Sequence, residues 1–260
     1  MCLILVGVRA RPGSRVLLLA NRDEFHARAA AAAAPWQDDA RILGGRDLVA
    51  GGSWLAVRDD GRFAAVTNLR QGAPRPAPRS RGALVADFVR ADSDAAAWLD
   101  ALRPQLPDYA PFNLVLGDAS GVTVFDGSSG RAQRLQPGLH AISNGPLDHD
   151  WPKMRRIRSA ASATLAAGAG DSELLALLRD PDAAPDADLP DTGIDPERER
   201  LLSPIFIAGS HYGTRASTLL EQTNDGALRL IEQGFGPDAV ETSRKVWRVG
   251  QGRWQEPRNG

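Results

Sequence analysis

The chain has 260 residues, with 31 Lys+Arg against 32 Asp+Glu (formal net charge −1), 43% hydrophobic and 24% charged residues, and one cysteine. That size and apolar content support a packed core of one or two domains and exclude a disordered or fibrous chain. The balanced charge argues against nucleic acid as the main partner, and a single thiol excludes both an intramolecular disulfide framework and a cysteine-rich metal cage.

In chain order, residues 3–9 form a short run rich in aliphatic side chains. Arg11-Pro12-Gly13-Ser14 separates it from a second run over 16–21, which predicts a hairpin. The apolar stretch from Cys2 ends at Arg9, too early for a signal core or a membrane span, so a cytoplasmic chain is expected. The alanine-rich residues 27–34 predict one or two helical turns that Pro35 stops. Asp59-Asp60-Gly61 then joins runs 53–58 and 62–68 as a hairpin turn. Proline and arginine mark 71–81 as a loop, and Ser80 is placed to cap a helix over 82–90. A second helix over 93–102 ends at Pro104. Strand patterning returns over 112–117, 122–126, 132–135 and 139–143. Residues 150–167 carry Trp151, Met154, Ile157, Ala161 and Leu165 at helical spacing, and 172–178 is a further helix. The acidic, proline-rich residues 181–199 read as an excursion before strands over 204–208, 216–223 and 227–232. This order predicts one α+β domain over 1–260, with two sheets face to face, helices outside, and mobile loops near 70–82 and 181–200.

Chemistry concentrates in a few places. Removal of Met1 would give Cys2 a free α-amine beside its thiol, so that one residue supplies nucleophile and base. The same residue also reads as a small buried hydrophobe at the start of a strand. Asn21-Arg22-Asp23-Glu24 closes the second run, and hairpin pairing brings it to the N-terminus. A carboxylate from Asp23 there holds an amine, and a cation from Arg22 favours thiolate. On a regular strand the two side chains point to opposite faces, so both reach one site only if the strand bends or bulges. Asn68 and Asn144 each end a strand run, as turn caps or as amide donors to an oxyanion. Arg215 follows Gly213-Thr214, as a surface arginine or as a second cation near the thiol. Arg70, Arg75, Arg79 and Arg81 form a solvated face or the mouth of a site for an anion. His26, His140, His149 and His211 lack metal-ligand spacing, and no glycine cluster fits a phosphate loop, so no metal or cofactor is expected.

Taken together, Met1-Cys2-Leu3-Ile4, Asn21-Arg22-Asp23-Glu24, Gly51-Gly52-Ser53-Trp54-Leu55, Thr67-Asn68-Leu69-Arg70, Ser143-Asn144-Gly145-Pro146-Leu147 with Trp151-Pro152-Lys153, and Gly213-Thr214-Arg215 resemble the NRDE family of transport and Golgi organisation proteins. That family in turn resembles the N-terminal-nucleophile cysteine hydrolases, such as choloylglycine hydrolases and penicillin acylases. The resemblance implies a four-layer αββα sandwich and a small-molecule amidohydrolase. It implies Cys2 as nucleophile and base, Asp23 as partner of the α-amine, Asn68 and Asn144 near the oxyanion, and Arg215 as a flanking cation, with Arg22 the candidate for a second. In the hydrolases the arginine lies three residues before the aspartate; here Ala20 holds that place and Arg22 directly precedes Asp23. The family also implies an alternative on the same scaffold: non-catalytic binding and trafficking of haem, an acyl thioester or a lipid. The ligand favoured by the arginines is an anionic acyl compound.

Overall fold

Period-two alternation shapes nearly every strand of this chain, for which a computed structural model describes residues 3–72, 76–147 and 149–256. The first half holds β1 (Leu3–Val8), β2 (Ser14–Phe25), β3 (Ala30–Pro35), β4 (Ile42–Asp47), β5 (Leu55–Arg58) and β6 (Phe63–Asn68). After helices α1 (Arg81–Arg90) and α2 (Ala95–Leu102) come β7 (Phe112–Asp118), β8 (Gly121–Asp126), β9 (Arg131–Arg134) and β10 (Gly138–Ile142). Helices α3 (Pro152–Ala166), α4 (Asp171–Ala176) and α5 (Pro196–Leu201) precede β11 (Tyr212–Thr223), β12 (Leu228–Phe235), β13 (Glu241–Gly250) and β14 (Arg253–Gln255). The strands form two seven-stranded antiparallel sheets, ordered β10-β1-β2-β11-β12-β13-β14 and β3-β4-β5-β6-β7-β8-β9.

Alternation sorts the side chains into three cores. Ile4, Val6, Leu18 and Ala20 of the first sheet pack with Leu43, Leu55, Val57, Phe63 and Ala65 of the second. The intervening Leu3, Leu5, Leu17 and Leu19 pack with Met154, Ile157, Leu174 and Leu175. Ala64, Val66, Leu114 and Leu116 pack with Leu84, Phe88, Val89 and Leu99. Burying one large side chain of this kind stabilises by about 1.5–3 kcal/mol, so strands apolar on both faces are held firmly. The helix starts follow their caps. Ser80 Oγ accepts the Gly82 N–H at 3.2 Å, and the Asp94 carboxylate accepts that of Ala97 at 2.8 Å. Among the described residues no helix is long and apolar enough to cross a membrane.

Three local expectations are corrected. The alanine run is strand β3 and not a helix, because its backbone is claimed by tertiary partners. Ala33 donates its N–H to Glu232 Oε1 at 2.6 Å and accepts Trp247 Nε1–H at 3.0 Å. On either side of Ala33, Ala30, Ala31, Ala34 and Pro35 pair with β4, a strand that its two glycines concealed in the sequence. A Cβ at Gly44 would lie 2.5 Å from the Leu55 carbonyl oxygen, so the close strand approach requires glycine there. Residues 204–208 are irregular, with Ile207 exchanging bonds with Thr214, and the 181–199 excursion runs into the short helix α5.

Glu232 ties the sheets together and is buried, and desolvation pushes its carboxyl up to about 7 from the ordinary 4.5. The folded chain therefore holds this proton where the unfolded chain has released it. That contribution to stability is full below 4.5 and is lost as pH rises through about 7. Urea titrations across pH 4.5–8 should show wild-type stability falling by about 2–3 kcal/mol more than that of Glu232→Gln. Parallel pH profiles would refute this.

Candidate active site

The polar run that ends β2 lies where both sheets come to an end. Leu3 pairs with Asn21, and β11 pairs with Arg22 and Asp23 on the other side. Asn21 is a structural anchor: its Nδ2 donates to Leu178 O (2.8 Å) and Ile205 O (2.7 Å), and its Oδ1 accepts from Ser217 Oγ (2.7 Å). Asp23 is buried, and its Oδ1 accepts the Thr214 hydroxyl proton at 2.6 Å. Thr214 Oγ1 in turn accepts the Ile207 N–H at 3.0 Å, which fixes the direction of that donation. In the sequence Thr214 appears only as part of Gly213-Thr214-Arg215, with no role of its own.

Asn68 ends β6 in one sheet, and Asn144 lies just past β10 in the other. The turn that carries Asn144 is clamped. Ser143 O accepts Thr67 Oγ1–H (2.8 Å) and Asn113 Nδ2–H (3.1 Å), Gly145 O accepts Asn113 Nδ2–H (2.7 Å), and Asn144 O accepts the Arg70 N–H (2.7 Å). Gly145 admits the Trp151 ring, which a Cβ would meet at 2.8 Å. From this fixed turn Asn144 Nδ2 donates to Asn68 O at 2.9 Å and to Asn68 Oδ1 at 3.0 Å. The Asn68 amide is thus oriented through its oxygen, while among the described residues its Nδ2 donates to no group.

Asp23, Asn68 and Asn144 line one cavity of about 420 Å³. Arg70 and Arg198 add cationic groups to the lining; Phe25, Ile194, Leu201, Leu202, Ile207 and Tyr212 make the rest of it mostly apolar. Arg22 and Arg215 do not line it. Arg22 follows the alternation of β2 and turns toward the core between the sheets, where its guanidinium stacks 4.3 Å from the Trp54 ring centroid. The bulge that would bring Arg22 beside Asp23 is absent from β2; it lies in β11, between Thr214 and Ala216, and makes Arg215 the extra residue. Arg215 Nη1 donates to Phe25 O (3.1 Å) and Arg28 O (2.7 Å). The Arg22 side chain is only 5% exposed, and its nearest carboxylate is Glu24 at 3.9 Å. Among the described residues Arg22 makes no side-chain hydrogen bond, and burial pushes its guanidinium below the usual arginine range. Cys2 lies outside the described residues, as does Arg75. Of the other loop arginines, Arg79 stacks on Tyr109, Arg81 donates to Pro111 O, and only Arg70 reaches the cavity.

Comparison with known proteins gives one consistent relationship. A family model described as Transport and Golgi organisation 2 matches residues 1–237. The Transport and Golgi organization protein 2 homolog of Bos taurus is 31% identical over 283 residues, covering 96% of this chain and 99% of that protein. The corresponding homologs of Mus musculus and Homo sapiens are each 30% identical, covering 90% of this chain and 93% of each relative.

Proposed function

This chain belongs to the transport and Golgi organisation 2 family, and from that premise we propose that its cavity serves amide hydrolysis by an N-terminal cysteine on a four-layer αββα scaffold. The observation that carries the reading is the Asn144–Asn68 hydrogen bond, made between the two sheets in the cavity that Asp23 also lines. Cys2 is one peptide bond from Leu3, whose partner Asn21 begins the polar run. After loss of Met1, the α-amine takes the thiol proton and Asp23, held by Thr214, binds the resulting ammonium. The thiolate attacks the carbonyl carbon of a small-molecule, non-peptide amide. The oxyanion accepts a hydrogen bond from Asn68 Nδ2, with Asn144 as positioning residue. Collapse of the intermediate breaks the C–N bond, the amine leaves with the proton, and water hydrolyses the acyl-enzyme to a carboxylic acid. Arg22, a desolvated cation behind the cavity lining, favours thiolate over thiol through its charge alone, and Arg215 adds positive charge beside it.

A library of N-acyl amides tests this. Wild type should release amine from at least one member and Cys2→Ala from none; turnover by Cys2→Ala would remove the cysteine mechanism. The apolar walls favour a second reading, a carrier that holds haem or an acyl thioester without turning it over. For that reading, a saturable haem spectrum in both wild type and Cys2→Ala is expected; no spectral change in either would remove haem as the ligand.

A further inference from the structure

Arg70 lines two cavities. One is the 420 Å³ cavity with Asp23 and Asn68; the other, of about 590 Å³, is lined by Trp151, Pro146, Pro190 and Thr192. The Arg70 side chain is only 9% exposed, and it is shared by both linings. It is held from three directions. Glu199, 3% exposed, pairs with its Nη1. The Trp151 ring centroid lies 5.0 Å from its guanidinium carbon. Its backbone N–H is spent on Asn144 O at 2.7 Å. Glu199 is itself fixed, since its Oε1 accepts both the N–H and the hydroxyl proton of Thr192. Thr192 O then accepts the Gly72 N–H at 2.7 Å, which closes a second strap beside the first. Gly72 stands at φ +63°, a conformation that favours glycine.

We propose that Arg70, clamped by Glu199, is a specificity-determining partition: it divides one groove into two cavities and so bounds the size of the acyl group the site accepts. The proposal rests on the cavity at Asp23 and Asn68 being the ligand site. The ligand class is a straight-chain aliphatic acyl group, which fits the apolar walls supplied by Phe25, Leu201, Leu202 and Ile207.

The test uses the carboxylates that amide cleavage would release, from hexanoate to hexadecanoate, titrated calorimetrically into the full chain. Wild type should bind more tightly with length, about fourfold per added methylene, up to a cut-off beyond which affinity stops rising. Arg70→Ala/Glu199→Ala removes both charges together and joins the cavities, and should move the cut-off to longer chains at the same increment per methylene. Arg70→Met/Glu199→Leu refills the wall with apolar side chains and should leave the cut-off near that of wild type. Should the double alanine variant not fold, Arg70→Ala/Glu199→Leu opens the same wall and carries the same expectation. An unchanged cut-off in a folded, opened variant, or no cut-off in wild type, overturns the partition while leaving the ligand site standing. Absence of binding by wild type at every length overturns the ligand site itself, and the partition with it.

Discussion

Asn68→Ala is expected to lower kcat by about 10²–10³-fold, with KM changed far less. The reason is geometric. Asn144 fixes the Asn68 amide by its oxygen, and in the proposed mechanism this leaves Nδ2 as the donor that meets charge only once the carbonyl carbon becomes tetrahedral. The substitution removes no apolar packing, because Asn68 stands at the mouth of β6, and circular dichroism should be unchanged. Asn144→Ala should lower kcat less, by about tenfold, because the donor remains and only its orientation is lost. Equal KM increases with intact kcat in both variants would mean that the two amides bind substrate without stabilising the transition state.

The second large effect is on stability. Glu199→Ala leaves the Arg70 guanidinium buried without its carboxylate, which costs about 3–5 kcal/mol. In a chain of this size that corresponds to a fall in Tm of roughly 10 °C or more. The pair Arg198–Asp195, at the start of the same helix, makes a useful contrast. Its side chains are 73% and 52% exposed, so Arg198→Ala should cost no more than about 1 kcal/mol. Arg70→Met/Glu199→Leu should lie close to wild type, because replacing both charges leaves nothing uncompensated. A Glu199→Ala melting curve within 2 °C of wild type would show that Arg70 is not buried in solution as it is in the structure.

Much of the fold was legible because local chemistry and burial agree. Asp59-Asp60-Gly61 turns between β5 and β6, and Gly61 takes the left-handed conformation there, at φ +89°. Leu84, Val85, Phe88 and Val89 lie on one buried face of α1. Where tertiary contacts overrule propensity, the sequence misled. Ala30–Pro35 has the composition of a helix, yet its backbone groups serve Glu232, Trp247 and β4.

The candidate site divides the same way. Asp23, Asn68 and Asn144 stood out as polar residues at strand ends, where the alternation of buried side chains stops, and they share one cavity. Arg22 also stood out, and alternation by itself predicted its separation from Asp23. Thr214 and Glu199 carried no role of their own in the sequence: one appeared only inside Gly213-Thr214-Arg215, and the other closed an acidic, proline-rich excursion. Their roles depend on Asp23 and Arg70, which are 191 and 129 residues away in the chain.

Whether Cys2 acts as an N-terminal nucleophile can be read from intact-protein mass spectrometry. Purified protein would be weighed before and after mixing with an activated N-acyl amide or aryl ester. The expected masses are those of a chain that begins at Cys2, then of the same chain carrying one acyl group. Peptide fragmentation should place that group on Cys2, and Cys2→Ala should carry none. A chain that retains Met1, or an acyl group that forms equally on Cys2→Ala, would rule out Cys2 as the nucleophile.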